Sequence, residues 1–264
     1  MTASTVMSPG RGKLYLCMPR YFLEVAYKGT GYSGSQVQEN AVSVQEELEK
    51  AFAIYFRQKV ELTGSSRTDT GVHALQNFFH ADLQEDIPES VLYNLNAILP
   101  EDIVLRSVYP VEDSAHCRFD AVGREYHYHI YRKKDPFLRD RAYFFPYTLD
   151  FEKLRTAAAI LQAHTDFSTF SKRNTQAKTM TCNIRRSEWI QVDNGFVYQV
   201  EANRFLRGMV RGLVGTMLQI GRGKMSLEEL ERVIRGRDNS LADFSVPGHG
   251  LFLVRVIYPE GMLG

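Results

Sequence analysis

The chain has 264 residues, 44% of them hydrophobic and 12% aromatic, which is enough for one large folded unit or two of ordinary size and excludes a disordered polymer. A formal net charge of +1 excludes a chain that draws polyanions by bulk charge alone, and three widely spaced cysteines, Cys17, Cys117 and Cys182, exclude a disulfide framework or a C-x-x-C zinc site. No stretch approaches the ~18 apolar residues of a membrane span, and the opening residues lack the apolar run of a signal peptide, so the expectation is a cytoplasmic protein with a flexible leader over residues 1–19.

In chain order, Tyr21 to Tyr27 is rich in β-formers and runs out at Gly29, which predicts a first strand. Ser43-Val-Gln-Glu46 reads as a capping box opening a helix with Val44, Leu48, Ala51, Phe52 and Tyr55 on one face. Lys59 to Thr63 and Gln76 to Asp82 read as strands on either side of a loop, Gly64-Ser-Ser-Arg67-Thr-Asp69-Thr-Gly71-Val-His73. A helix from about Pro88 to Ile98, stopped by Pro100, and a strand from Ile103 to Val108 complete the order β-α-β-β-α-β.

The second half repeats that order. Arg124 to Lys133 predicts a strand, Asp150 caps a helix to about Ala163, and Asp193-Asn194-Gly195 joins the strands Ile184 to Val192 and Phe196 to Ala202 as a hairpin. A helix is expected from about Arg204 to Ile220, stopped by Gly221 and Gly223, then another capped by Ser226-Leu-Glu-Glu229, and a closing strand from Leu251 to Tyr258. The expected fold class is α+β (mixed α/β), with two RRM/ferredoxin-like halves, residues 20–112 and 113–264, whose mainly antiparallel sheets lie side by side and flank a central cleft.

Three stretches carry chemistry. Asp69 sits in a glycine-bounded loop two residues after Arg67, and a carboxylate of ordinary pKa held ionised by a guanidinium suits a nucleophile or a base; a turn residue bonding its own backbone is the plainer alternative. Asp-Thr-Gly also marks aspartic proteases, but those need two such loops and this chain has one. Arg204, Arg207 and Arg211 are spaced three and four along a predicted helix, either as a solvated face or as a surface for an anion such as phosphate or a buried carboxylate. They belong to a basic stretch, residues 171–222, with nine Lys or Arg (172, 173, 178, 185, 186, 204, 207, 211, 222) against three acids (188, 193, 201). On the strand Tyr126-His-Tyr-His-Ile-Tyr131, His127 and His129 share a face without a third or fourth metal ligand in view, so no metal is expected; Tyr126, flanked by Arg124 and Arg132, suits stacking on a base, or simple core packing.

With these residues together, the chain resembles the tRNA pseudouridine synthases of the TruA type. The motifs run in one order over most of its length: Tyr27-Lys-Gly-x-x-Tyr32-x-Gly34, Ser43-Val-Gln-Glu-x-Leu-Glu49, Arg67-Thr-Asp-x-Gly-Val-His73, Asn94-x-Asn96-x-x-Leu-Pro100, Arg118-Phe-x-Ala, Tyr126-x-Tyr128, Asp166-Phe-x-x-Phe170, Asn203-x-Phe-Leu-x-x-Met-Val-Arg211 and Gly250-Leu-x-Leu-Val. The resemblance implies isomerisation of uridine to pseudouridine at positions 38, 39 and 40 of the tRNA anticodon stem-loop, by a homodimer that uses no cofactor and no metal. It implies Asp69 as the catalytic aspartate, Arg67 supporting the flipped-out nucleotide, Tyr126 stacking on the target uracil, and Arg211 pairing with Asp69; Arg204, Arg207, Lys172 and Arg173 become candidate RNA contacts. The chain departs from the family pattern at Ser35, Ser66 and Thr70, where Trp, Gly and Ala are usual. A protein of the same fold that binds or remodels tRNA without turnover is the alternative reading.

Overall fold

A computed structural model describes residues 18–83, 87–88, 90–172 and 178–263. The strands are β1 (Arg20–Tyr27), β2 (Thr63–Gly64), β3 (His73–Asp82), β4 (Ile103–Val111), β5 (Gly123–Tyr131), β6 (Tyr143–Phe144), β7 (Ile184–Val192), β8 (Gly195–Ala202) and β9 (Leu251–Ile257). The helices are α1 (Val44–Phe56), α2 (Val91–Ile98), α3 (Phe151–Leu161), α4 (Met209–Gly221) and α5 (Leu227–Gly236).

The two expected sheets are one. Its order is β4-β1-β3-β9-β5-β8-β7, with β2 paired to β3 and β6 to β5. Each half keeps the expected β-α-β-β-α-β order, the second with β6, parallel to β5, and α5 added. The other pairs within each half are antiparallel, and the halves fuse edge to edge where β3 meets β9 in parallel, His73 against Phe252 and Ala74 against Leu253. The joint is short because β2 covers another part of β3, Thr63 and Gly64 lying against His80 and Phe79. Fusion removes the free edge that two separate sheets would each leave at this position. α1 packs on α2, which lies against β4; α3 packs on β7 and against α4 and α5.

Local signals explain most elements. Ser43 Oγ accepts the Glu46 N–H, and Val44, Leu48, Ala51 and Phe52 are buried on one face of α1. Ser226 and Glu229 form a reciprocal capping box at α5. β7 and β8 pair up to Val192 opposite Gly195, as the Asp-Asn-Gly turn requires.

Two elements differ from the sequence reading. Lys59 to Thr63 is not a strand except at Thr63, because α1 takes up its backbone: Leu62 N–H donates to Glu49 Oε1 and Leu62 O accepts from Gln45 Nε2. The helix expected from Arg204 begins at Met209. Gly208 holds a left-handed φ of 74°, Asn203 Oδ1 accepts the backbone N–H groups of Asn183 and Arg204, and Arg207 O accepts from Lys172 N–H, so residues 203–208 form a connection. Arg204 and Arg207 therefore do not share a helix face with Arg211. β6 was not anticipated, being two residues long. Residues 1–17 of the expected leader lie outside the described residues.

Candidate active site

The seam between the halves gathers the chemistry. β3 begins at His73, directly after the Asp69 loop, and the pairing runs Ala74 to Leu253 to Tyr126 across β3, β9 and β5. This row brings the start of β3, and the loop before it, into line with Tyr126. The β5–β9 register shifts between Glu125 and Tyr126, a local irregularity at the aromatic residue.

The Asp69 loop is held by its own turn, Val72 N–H donating to Asp69 O (3.1 Å), and by its neighbours. Ser35 N–H donates to Thr68 O (3.1 Å), Thr68 N–H donates back to Ser35 Oγ (2.9 Å), and Ser35 Oγ donates to Ser66 O. Behind them, fully buried Asn77 accepts from Ser65 Oγ (2.8 Å) and donates to Ser66 O and to the Tyr27 hydroxyl, which meets Thr68 Oγ1 at 2.9 Å. Two glycines make room for the loop. Gly34 has a φ of 105°, and a Cβ there would stand 2.6 Å from Thr68 O; a Cβ on Gly248 would stand 2.2 Å from Thr70 O. A closed polar network of this kind fixes one geometry. Ser35, a departure from the family pattern, is thus a structural part of the loop.

Asp69 itself is partly exposed and faces two cations. Arg211 Nη1 lies 3.4 Å and Lys172 Nζ 3.7 Å from its Oδ2. Arg211 is aimed by backbone carbonyls, its Nε donating to Val246 O (2.8 Å) and its Nη2 to Phe244 O (3.3 Å). Those carbonyls reach α4 because the helix is bare where they cross. A Cβ on Gly215 would stand 2.1 Å from Asp243 O, and one on Gly212 would stand 2.8 Å from the Phe244 ring. Asp243 is anchored by Gln219 (2.6 Å) and by Thr216 Oγ1, which accepts its N–H. The Gly-x-x-Gly spacing on α4 was the available sequence signal for this close approach; the residues 243–246 that use it carried no signal of their own.

Tyr126 packs edge-on against Phe205, centroids 5.0 Å apart, and is 9% exposed. Burial pushes its phenol well above the ordinary range, with Arg124 pulling the other way and Tyr27 and Asp69 adding to the rise. It therefore keeps its proton at neutral pH.

The remaining candidates divide. Arg67 is exposed on the loop. Lys172, read as an RNA contact, lies beside the Asp69 carboxylate, its stem over Gly208. Arg204 is half-buried and Arg207 exposed on the connection before α4, while Arg173 lies outside the described residues. His127 pairs with Glu125 (2.9 Å), and His127 and His129 stand 6.3 Å apart by ring centroid. Elsewhere, ligand atoms of His80, His116 and Cys117 lie within 4.8 Å of one another, but Cys117 Sγ donates to Thr63 O and its N–H donates to His80 Nδ1, so these groups are satisfied within the protein. A concavity of about 530 Å³ lined by Pro110, Glu112, Ser114, Asp120 and Met262 contains none of the groups gathered around Asp69.

Comparison with known proteins gives a consistent result. A family model described as tRNA pseudouridine synthase matches residues 24–120 and 157–259. A tRNA pseudouridine synthase A of Parabacteroides distasonis is 43% identical over 245 residues, covering 92% of this chain and 97% of that protein. One from Porphyromonas gingivalis is 43% identical over 250 residues (93% and 99%), and one from Staphylococcus aureus 35% over 247 (92% and 92%). A solved dye-decolorizing protein from V. cholerae aligns with 93% of this chain and 95% of its own at 11% identity, but its TM-score of 0.18 carries no argument.

Proposed function

The chain belongs to the tRNA pseudouridine synthase family, and we propose that Asp69 is the nucleophile with which it isomerises uridine to pseudouridine in tRNA. The observation that carries the assignment is the placing of Asp69 Oδ2 between Arg211 (3.4 Å) and Lys172 (3.7 Å) at the seam where Tyr126 also lies. Two cations face the carboxylate, and a network of buried hydroxyls and one amide keeps it where it is without local reorganisation.

The reaction breaks the N1–C1′ bond, forms C5–C1′, releases the C5 proton and leaves a proton on N1, so atoms and electrons balance within the nucleotide. Asp69 supplies the covalent step that lets the base detach and turn. Tyr126 meets the uracil as a neutral ring. Arg67, exposed beside the carboxylate, supports the extruded nucleotide. Extrusion costs a few kcal/mol and stacking on one aromatic returns ~1–3, so phosphate contacts from Arg204 and Arg207 supply the balance. The substrate uridines are those at positions 38, 39 and 40 of the anticodon stem-loop, the enzyme is a homodimer, and it works in the cytoplasm; no helix among the described residues is long and apolar enough to cross a membrane.

The test is tritium release from tRNA labelled at uridine C5. Wild type should release label from anticodon-arm uridines, and Asp69→Asn should release none while retaining tRNA affinity. No release by wild type from several such tRNAs would overturn the reading in favour of a tRNA-binding protein without turnover. Light scattering that returned the mass of one chain would overturn the dimer.

A further inference from the structure

Close to the Asp69 loop lies a group of arginines, of which the mechanism above uses Arg67 and Arg204 but not Arg118 and Arg124. Arg124, on β5 and mostly buried, donates four hydrogen bonds and all go to backbone carbonyls: Arg118 O (2.8 Å), Ala121 O (3.1 Å), Ser65 O (3.3 Å) and Asn203 O (3.5 Å). Ser65 stands two residues before Arg67, and Asn203 immediately before Arg204. One guanidinium therefore ties together the three segments that carry Arg67, Arg118 and Arg204.

The charges of Arg118, Arg124 and Arg204 are poorly balanced. Among the described residues, no carboxylate lies within ion-pairing distance of Arg118, Arg124 or Arg204, whereas arginines elsewhere, such as Arg20 with Asp82, are paired. Burial and the neighbouring Arg67, Arg124 and Arg204 all hold the Arg118 guanidinium below its ordinary pKa. The side-chain contact shown for Arg118 is the ring of Phe119, 5.9 Å from Cζ to centroid. Phe119 is 74% exposed, yet its ring is braced against His116 with centroids 4.2 Å apart. An exposed aromatic ring held in place beside uncompensated cations matches a chain of alternating phosphates and bases.

We propose that Arg118 and Phe119 form a second RNA contact point beside Asp69, in which Arg118 and Arg204 take a backbone phosphate near the target nucleotide and Phe119 stacks on an adjoining unpaired base. Arg124 is the positioning residue behind it. The proposal rests on tRNA being the substrate, and it adds a seat for a nucleotide other than the one that reacts.

The experiment measures affinity for an anticodon-arm-containing tRNA, and for heparin as a polyanion without bases, across a salt series. Arg118→Gln should make the slope of log affinity against log salt shallower by about 0.7–0.9 with tRNA, and Arg118→Lys should restore it. Phe119→Leu should weaken tRNA binding about tenfold without changing the slope, leave heparin binding unchanged, and be rescued by Phe119→Tyr. Both side chains are exposed, and thermal melting checks that each variant folds. An unaltered slope in Arg118→Gln, unaltered tRNA affinity in Phe119→Leu, or an equal loss for heparin would overturn the seat. Tritium release by wild type reports separately on the reaction: release with wild-type binding in both variants defeats the seat alone, and altered binding without release defeats the catalytic reading alone.

Discussion

At the scale of single residues, the arrangement distinguishes charge from geometry. Arg211 is held by two carbonyls while a third nitrogen faces Asp69, and a lysine ammonium cannot reproduce that planar fork. Arg211→Lys should therefore lower single-turnover tritium release about 100-fold with little change in tRNA affinity. Lys172→Met should cost less, since Lys172 is more exposed and farther away; a larger loss there than at Arg211 would reverse the ranking. Two histidines, buried His80 and half-buried His129, carry a pH signature. Burial first, then neighbouring Arg20 and His116 for His80 and neighbouring His127 and His73 for His129, hold both rings down to about 4 against an ordinary 6.5. The unfolded chain thus binds more protons between those values, so the contribution to stability is complete above pH 6.5 and is lost as pH falls toward 4. The melting temperature should drop over that window, and His129→Gln should shrink the drop; a flat profile would contradict neutral burial. Asp69 and Tyr126 could be singled out as candidates from the sequence because a carboxylate or an aromatic ring announces its chemistry. The approach of Lys172 to Asp69 was not legible, because it depends on where Gly208 turns the chain.

At the scale of elements, the working parts are close approaches made possible by missing side chains. Gly34→Ala would place a Cβ against Thr68 O in a left-handed conformation, and should cost at least about 1 kcal/mol while displacing the Asp69 loop, so that melting temperature and turnover fall together. Gly215→Ala would push the backbone at Asp243 off α4 and unhook the carbonyls that aim Arg211. Its expected signature is loss of turnover out of proportion to loss of tRNA binding; a silent substitution would show that residues 243–246 do not aim the arginine. Helix caps at Ser43 and Ser226 and the Asp-Asn-Gly hairpin were readable because they depend on neighbours in sequence. The start of α4 and the loss of a strand at Lys59 to Thr63 were not, since Gly208 and the side chains of Gln45 and Glu49 override local propensity.

At the scale of the whole molecule, one sheet carries both halves, and its joint is reinforced by side chains. Gln76 Oε1 accepts the Val256 N–H (3.0 Å), His73 Nε2 meets His249 O (3.0 Å), and the His73 and Phe252 rings stack at 4.5 Å. Such a seam should make unfolding a single event. Trp189, the single tryptophan, is buried in the second half, so its fluorescence reports on that half while far-ultraviolet circular dichroism reports on both. The two urea transitions should coincide, and separation would mean that the halves unfold independently. The amino-acid sequence by itself determined the alternation of strands and helices and their caps, which follow from residue type and short-range spacing. It also offered Asp69, Arg67, Tyr126 and Arg211 as candidates, the pairing of Arg211 with Asp69 only through the family resemblance. Tertiary structure alone decided that two sheets become one, that Ser35 and Asn77 fix the Asp69 loop, and that Lys172 joins Arg211 on one carboxylate oxygen. These depend on contacts between residues from 11 positions apart (Asn77 with Ser66) to 179 (His73 with Phe252), whose direction no local pattern encodes.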